Sequence, residues 1–173
     1  DPGFSVELPD ENQWRLKKNR RWNGQSLVVY SYDGKNVGAL SFRLLQTPAT
    51  AVKVPLEVLA EGYFLTQGLS QAIEAEVGYT TEVKLDGHRA AIVFGTQTIR
   101  PLTNHAVQAM MLSPDGLIVI RLLAEPEWFE SLLPEFDRIL RSFKFIYGVP
   151  VDPFLLDDVP MQDPEHDPGH FGF

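Results

Sequence analysis

Side chains able to make or break bonds are few and scattered in this sequence. Its 4 histidines are His88, His105, His166 and His170, and it has no cysteine. Thiolate catalysis, disulfides and Cys-ligated zinc or iron–sulfur centres are therefore excluded. His88 follows the turn pair Asp86-Gly87, and His105 follows Asn104 at the start of a β run. Each is read as a strand-end polar residue, because no spacing brings it against a carboxylate as acid–base work requires. His166 and His170, with Asp163, Glu165 and Asp167, form the one metal-like cluster. Two imidazoles with carboxylates suit Zn²⁺, Ni²⁺ or Cu²⁺. His-x₃-His brings both rings to one ion on a helix, and Pro168 between them prevents a helix. The segment is read as an acidic tail, and His166, His170, Asp163 and Asp167 stay only as the weaker metal alternative. Nucleophile motifs (G-x-S-x-G, S-x-x-K) and glycine-rich phosphate loops are missing. No catalytic residue and no cofactor is expected.

Binding chemistry is better represented. Trp14-Arg-Leu-Lys-Lys-Asn-Arg-Arg-Trp22 places Arg15, Lys17, Lys18, Arg20 and Arg21 between two tryptophans. Such a segment suits an acidic protein, phosphates or anionic lipid. The competing reading is an edge strand whose cations discourage edge-to-edge aggregation. Strict alternation puts Trp14, Leu16, Lys18, Arg20 and Trp22 on one face and Arg15, Lys17 and Arg21 on the other. The opposite charge lies at the C-terminus. Residues 149–173 hold six carboxylates (Asp152, Asp157, Asp158, Asp163, Glu165 and Asp167), five prolines and no Lys or Arg. This stretch is expected to be an extended arm, since proline suits neither helix nor inner strand. Phe154, Leu155, Leu156 and the terminal phenylalanines give it apolar residues able to dock. Docking on the basic strand, in its own chain or a neighbour's, would make the arm a route to a homodimer.

Composition sets the frame. The chain has 173 residues, 44% hydrophobic and 22% charged, with a net charge of −8. That fits one globular domain with an appendage, 1–148 and 149–173. The negative charge argues against nucleic acid as a partner. No apolar run approaches the ~18 residues of a membrane span. The sequence starts Asp1-Pro2-Gly3, with neither Met nor a signal peptide, and is expected to be processed or trimmed.

Period and punctuation then place the elements. Phe4–Leu8 alternates as a short strand. Trp14–Trp22, Leu27–Tyr32 and Val37–Leu45 form a meander joined by Asn23-Gly24 and Asp33-Gly34 turns. Pro55 opens a helix expected to run to about Glu76, with Glu57, Glu61, Glu74 and Glu76 on its wet face. Two hairpins follow, Thr80–Gln97 about Asp86-Gly87 and His105–Leu123 about Ser113-Pro-Asp-Gly116. Phe129, Leu132, Leu133, Phe136, Ile139, Leu140 and Phe143 mark a second helix, opened by Pro126 and either kinked or divided at Pro134. Strands, helix, strands, helix gives an α+β fold: one antiparallel β-sheet of about seven strands covered by helices.

Four stretches carry a family resemblance. They are Phe4-Ser-Val-Glu-Leu-Pro before a tryptophan, Asp86-Gly-His-Arg-Ala-Ala, Ser113-Pro-Asp-Gly-Leu-Ile-Val-Ile, and Phe136-Asp-Arg-Ile-Leu-Arg-Ser-Phe-Lys-Phe. Residues 4–146 resemble the Mog1/PsbP-like group, which includes PsbP proteins, bacterial lipoprotein relatives and DcrB-like domains. The resemblance implies an α/β/α sandwich and a non-enzymatic protein-binding or assembly role. It also implies a periplasmic or cell-envelope setting with a possible lipid anchor, while a cytoplasmic setting stays open. It assigns no functional residue. Two alternatives remain: a secretion-system chaperone or adaptor with an exposed apolar groove, and an enzyme whose site is built from loops.

Overall fold

The computed structural model describes residues 4–22, 25–35, 37–46, 54–66, 74–99, 101–113 and 116–146. Seven strands form one antiparallel sheet: β2 (Trp14–Trp22), β3 (Gln25–Tyr32), β4 (Gly38–Leu45), β5 (Glu74–Leu85), β6 (His88–Ile99), β7 (Leu102–Ser113) and β8 (Gly116–Ala124). Their order is β2-β3-β4-β8-β7-β6-β5. The central strands β8 and β7 are apolar on both faces, as burial on both sides demands. Two short strands, β1 (Phe4–Ser5) and β9 (Lys144–Phe145), pair separately. Asp33-Gly34 and Asp86-Gly87 turn with positive φ at both residues, the conformation that Asp-Gly hairpins favour.

The two helices lie on opposite faces of the sheet. Helix α2 (Pro126–Arg141) packs on β4, β7 and β8. Its Phe129, Leu132, Phe136, Ile139 and Leu140 meet Leu40, Phe42, Val107, Ala109, Ile118, Ile120 and Leu122. Pro134 lies inside one continuous helix. Gly38 admits Leu132 here: a Cβ would stand 2.5 Å from its Cδ1. Helix α1 (Leu56–Thr66) packs on β5, β6 and β7. Its Leu56, Ala60 and Phe64 meet the alternate residues Ala91, Val93, Ala106, Met110, Leu117 and Val119. Gly95 makes room for the Phe64 ring, which a Cβ would approach to 2.9 Å.

Two expectations are corrected. The first helix ends at Thr66, and Glu74 and Glu76 belong to β5. Ala75 and Val77 pack toward α1 between the outward Glu74 and Glu76, a period of two rather than 3.6. The second correction concerns β2. A bulge between Leu16 and Lys18 shifts its register against β3, so strict alternation fails there. Leu16 pairs with Tyr30, but Lys18 pairs with Val29 and Arg20 with Leu27. Lys18 and Arg20 therefore share the face opposite to Trp14 and Leu16.

Candidate functional site

Antiparallel partners share a face of the sheet, so the register assigns every side chain to a row. One row runs Lys18, Val29, Ser41, Arg121, Gln108, Val93 and Thr80. The next runs Arg20, Leu27, Arg43, Val119, Met110, Ala91 and Glu82. A third includes Arg15, Ser31, Ala39, Leu123 and Ala106. Val93, Met110, Ala91 and Ala106 pack with α1, which fixes all three rows on the α1 face. On this face, among the described residues, α1 covers the β5–β7 half and no helix packs on β2 or β3. On this open half the rows bring Arg15, Lys18, Arg20, Arg43 and Arg121 together, and none of their residues in β2, β3, β4 or β8 is a carboxylate. Strand spacing puts Arg20 ~10 Å from Arg43, and the diagonal from Arg43 to Arg121 is ~7–8 Å.

The seam between the covered and open halves is polar. Gln108 is fully buried and Gln97 nearly so. Gln108 Nε2 donates to the Ala60 carbonyl at 3.1 Å, and Gln97 Nε2 to the Phe64 carbonyl at 3.2 Å. The second bond satisfies a carbonyl of the last helical turn, which lacks an intrahelical partner. Both glutamine oxygens accept from the Arg121 guanidinium, Gln108 at 2.5 Å and Gln97 at 3.4 Å. The same guanidinium lies 5.6 Å from the centre of the Phe64 ring. Beside it Arg43 Nη1 donates to the Tyr63 hydroxyl at 2.9 Å. Burial pulls the Arg121 pKa down to about 10, with Tyr63 opposing the fall and Arg43 adding to it. Burial likewise raises the Tyr63 phenol, against the pull of the two arginines. Among the described residues no carboxylate pairs with Arg121.

Ion pairing on the covered half is different. Arg89 bonds Glu57 of α1 at 2.8 Å and also Glu82 of β5. The hydrogen bond from Arg89 holds the Glu82 carboxyl below its ordinary value. This pairing ties the start of α1 to the sheet.

The sequence candidates fall into separate places. Trp14 is 2% exposed and packs edge-on against Tyr32, so it builds the α2-side core rather than a surface. Arg15, Lys17, Lys18, Arg20 and Arg21 are exposed on the edge strand. Arg15, Lys18 and Arg20 face the open half, whereas Arg21 pairs with Ser26 on the other face. Trp22 pairs with Gln25 through its backbone. Phe154, Leu155, Asp163, His166, Asp167 and His170 lie outside the described residues. His88 packs its ring edge-on against Phe145 at 5.0 Å, and His105 against Phe129 at 5.4 Å. His105 pairs with Thr96, eight residues along β6 from His88 and so ~26 Å away. Among the described residues no three His, Asp or Glu side chains converge as a metal site. No described helix is long and apolar enough to cross a membrane. Arg121, Gln108, Gln97, Arg43 and Tyr63 escaped the sequence reading. Their signal was a single polar residue breaking an apolar run, Arg121 in Leu117–Leu123 and Gln108 in Ala106–Leu112.

No protein-family model matches this chain, and no curated protein matches it. Among solved structures it is similar to cyanobacterial PsbP (CyanoP) from Synechocystis. The identity is 15% and the TM-score 0.66, over 84% of this chain and 88% of that one. A protein of unknown function from Pseudomonas aeruginosa matches at 11% identity and TM-score 0.49, over 80% of this chain and 99% of that one. LpqN, involved in cell envelope biogenesis of Mycobacterium tuberculosis, matches at 16% and 0.44, over 83% and 85%. The last two scores carry no further argument. The first establishes the architecture: the chain has the PsbP-like α/β/α sandwich that its sequence resemblance implied.

Proposed function

We propose that this chain is a non-catalytic protein-binding module, an assembly factor of the bacterial cell envelope. It receives an acidic protein segment on the open half of its α1 face. One observation carries the reading: the β2 bulge and the sheet register gather five cations on one half of a face, where none of the described residues of β2, β3, β4 or β8 in their rows is a carboxylate. Opposite charge steers such a segment to the face and sets its register. The half-buried apolar floor of Leu27, Val29, Leu45 and Leu123 offers burial beneath it. Among the described strands β2 is an edge of the sheet, a position suited to strand addition. A chaperone groove finds less support, since the large exposed apolar residues are spread over the molecule, with Leu16 on β2, Val58 and Leu65 on α1, Tyr79 on β5, and Ile99 opposite Leu102 at the β6–β7 turn.

The reading is tested by photocrosslinking in the producing cell. A crosslinking residue replaces Lys18 in one variant and Glu130, exposed on α2, in another. A protein adduct is expected from position 18, lost in high salt, and none from position 130. Equal adducts from both positions, or none from position 18, contradict it. A self-adduct with doubled mass by light scattering, abolished by deleting residues 149–173, would replace the outside partner with a homodimer. The occupant would then be the arm of a second copy, with Phe154 and Leu155 among its apolar contacts.

A further inference from the structure

We propose that Arg121 and Arg43, with the Tyr63 hydroxyl, form an oxyanion subsite that takes a carboxylate side chain of the bound acidic segment. This rests on the binding reading above and names the chemistry at the centre of that surface. Arg121 is the deepest of the five cations. Its hydrogen bonds go to two amide oxygens, those of Gln97 and Gln108, which orient the guanidinium without neutralising it. Both amides are themselves fixed by carbonyls of α1. The fork is therefore held rigid before any ligand arrives, which lowers the entropy lost on binding. A guanidinium has five N–H donors in one plane, so donors remain for a bidentate carboxylate. Arg43 stands on the neighbouring strand and donates to the Tyr63 hydroxyl at 2.9 Å, placing a second positive charge and a hydroxyl beside Arg121.

The counter-charge has few sources within the chain. No described carboxylate hydrogen-bonds to Arg121. The stretches flanking α1, 47–53 and 67–73, contain no Asp or Glu. Asp115 adjoins Gly116, which is five residues and ~17 Å along β8 from Arg121. Asp1 precedes Phe4, which packs on the α2 side. A buried charge without a partner is costly, and an incoming carboxylate relieves that cost. The six carboxylates of residues 149–173 are the remaining internal source.

The test is side-chain NMR of the Arg121 Nε–Hε group in the full-length protein, with hexa-aspartate peptide, acetate and inorganic phosphate as probes. Hexa-aspartate is expected to shift that resonance, with affinity falling at least tenfold in Arg121→Lys, which keeps the charge but loses the fork. Arg141→Gln, on the outer face of α2, is expected to leave affinity unchanged. Arg43→Gln and Tyr63→Phe, each expected to lose threefold or more, serve if Arg121→Lys does not fold. Peptide binding that ignores all three substitutions overturns the subsite while leaving the basic face as a binding surface. A shift with acetate or phosphate but none with the peptide overturns the segment as ligand in favour of a free anion. A shift of Arg121 on deleting residues 149–173 from otherwise unliganded protein would give the subsite to the chain's own arm and overturn the outside partner. Absence of any peptide binding, together with no adduct at position 18, removes both the subsite and the function it rests on.

Discussion

The two faces of the sheet use the same strands for different ends. Toward α2, consecutive rows are filled with apolar side chains, from Trp14 on β2 through Phe42 and Ile120 to Ile92 on β6. Aromatic contacts extend the filling to the sheet edge, as Trp14 meets Tyr32 and Tyr32 meets Trp128. Toward α1, the apolar filling stops beneath the helix, and a polar cluster of the buried Gln97 and Gln108 with the half-buried Arg121 marks its limit. Beyond that cluster the face is cationic. Among the described residues one face is closed by packing, and the other is covered by a helix over half its width. Strand pleating makes this division possible, because neighbouring residues of one strand serve opposite faces.

The division can be broken from either side, with effects of decreasing size. Phe136→Ala, in the α2-side core, removes a ring that is 4% exposed. It is expected to cost ~3–5 kcal/mol in urea unfolding. A loss below ~1 kcal/mol would mean that this face is not the stabilising one. Gln108→Leu strips the Ala60 carbonyl and the Arg121 guanidinium of a partner at once. The Ala60 carbonyl keeps its helical partner four residues on, so the loss falls on the Arg121 guanidinium, and a drop of ~1–3 kcal/mol in unfolding free energy is expected. Unchanged stability would show that the seam does not hold α1.

Smaller still is the acid response. Glu82, held low by Arg89, and Glu135, held low by Arg138, have folded pKa values below the ordinary 4.5. Their contribution is present above that value and is lost as pH falls through the lower folded values. Melting temperature is expected to decline as pH falls below about 4.5. Arg89→Met should flatten the Glu82 part of that decline. The smallest effect on folding belongs to the open half. Lys18→Glu with Arg20→Glu is expected to change stability by less than ~0.5 kcal/mol, since both are exposed. A larger loss would make these cations structural rather than a binding surface.

Most of the architecture was legible in the sequence because local rules dominate it. Asp33-Gly34 and Asp86-Gly87 supply positive φ where hairpins need it, and the stripe from Phe129 to Leu140 has the helical period. Local rules fail at Glu74–Val77, where acidic residues look helical but Ala75 and Val77 alternate toward α1. They fail again at the β2 bulge, because an extra residue in a strand leaves no mark in side-chain type. That one residue decides which cations share a face, so the basic stretch was visible while its partner surface was not. Arg121 and Gln108 were invisible for another reason: a single polar residue in an apolar strand acquires meaning only when rows from different strands are aligned.

Backbone amide NMR mapping during titration with hexa-aspartate tests most directly whether the two faces are divided between folding and binding. Shifts are expected along β2, β3, β4 and β8, strongest near Lys18, Ser41, Arg43 and Arg121, weakening as salt is added, with α2 and the β1–β9 pair unmoved. Shifts centred on α2, or a titration that leaves Lys18 to Arg121 unchanged, would contradict it.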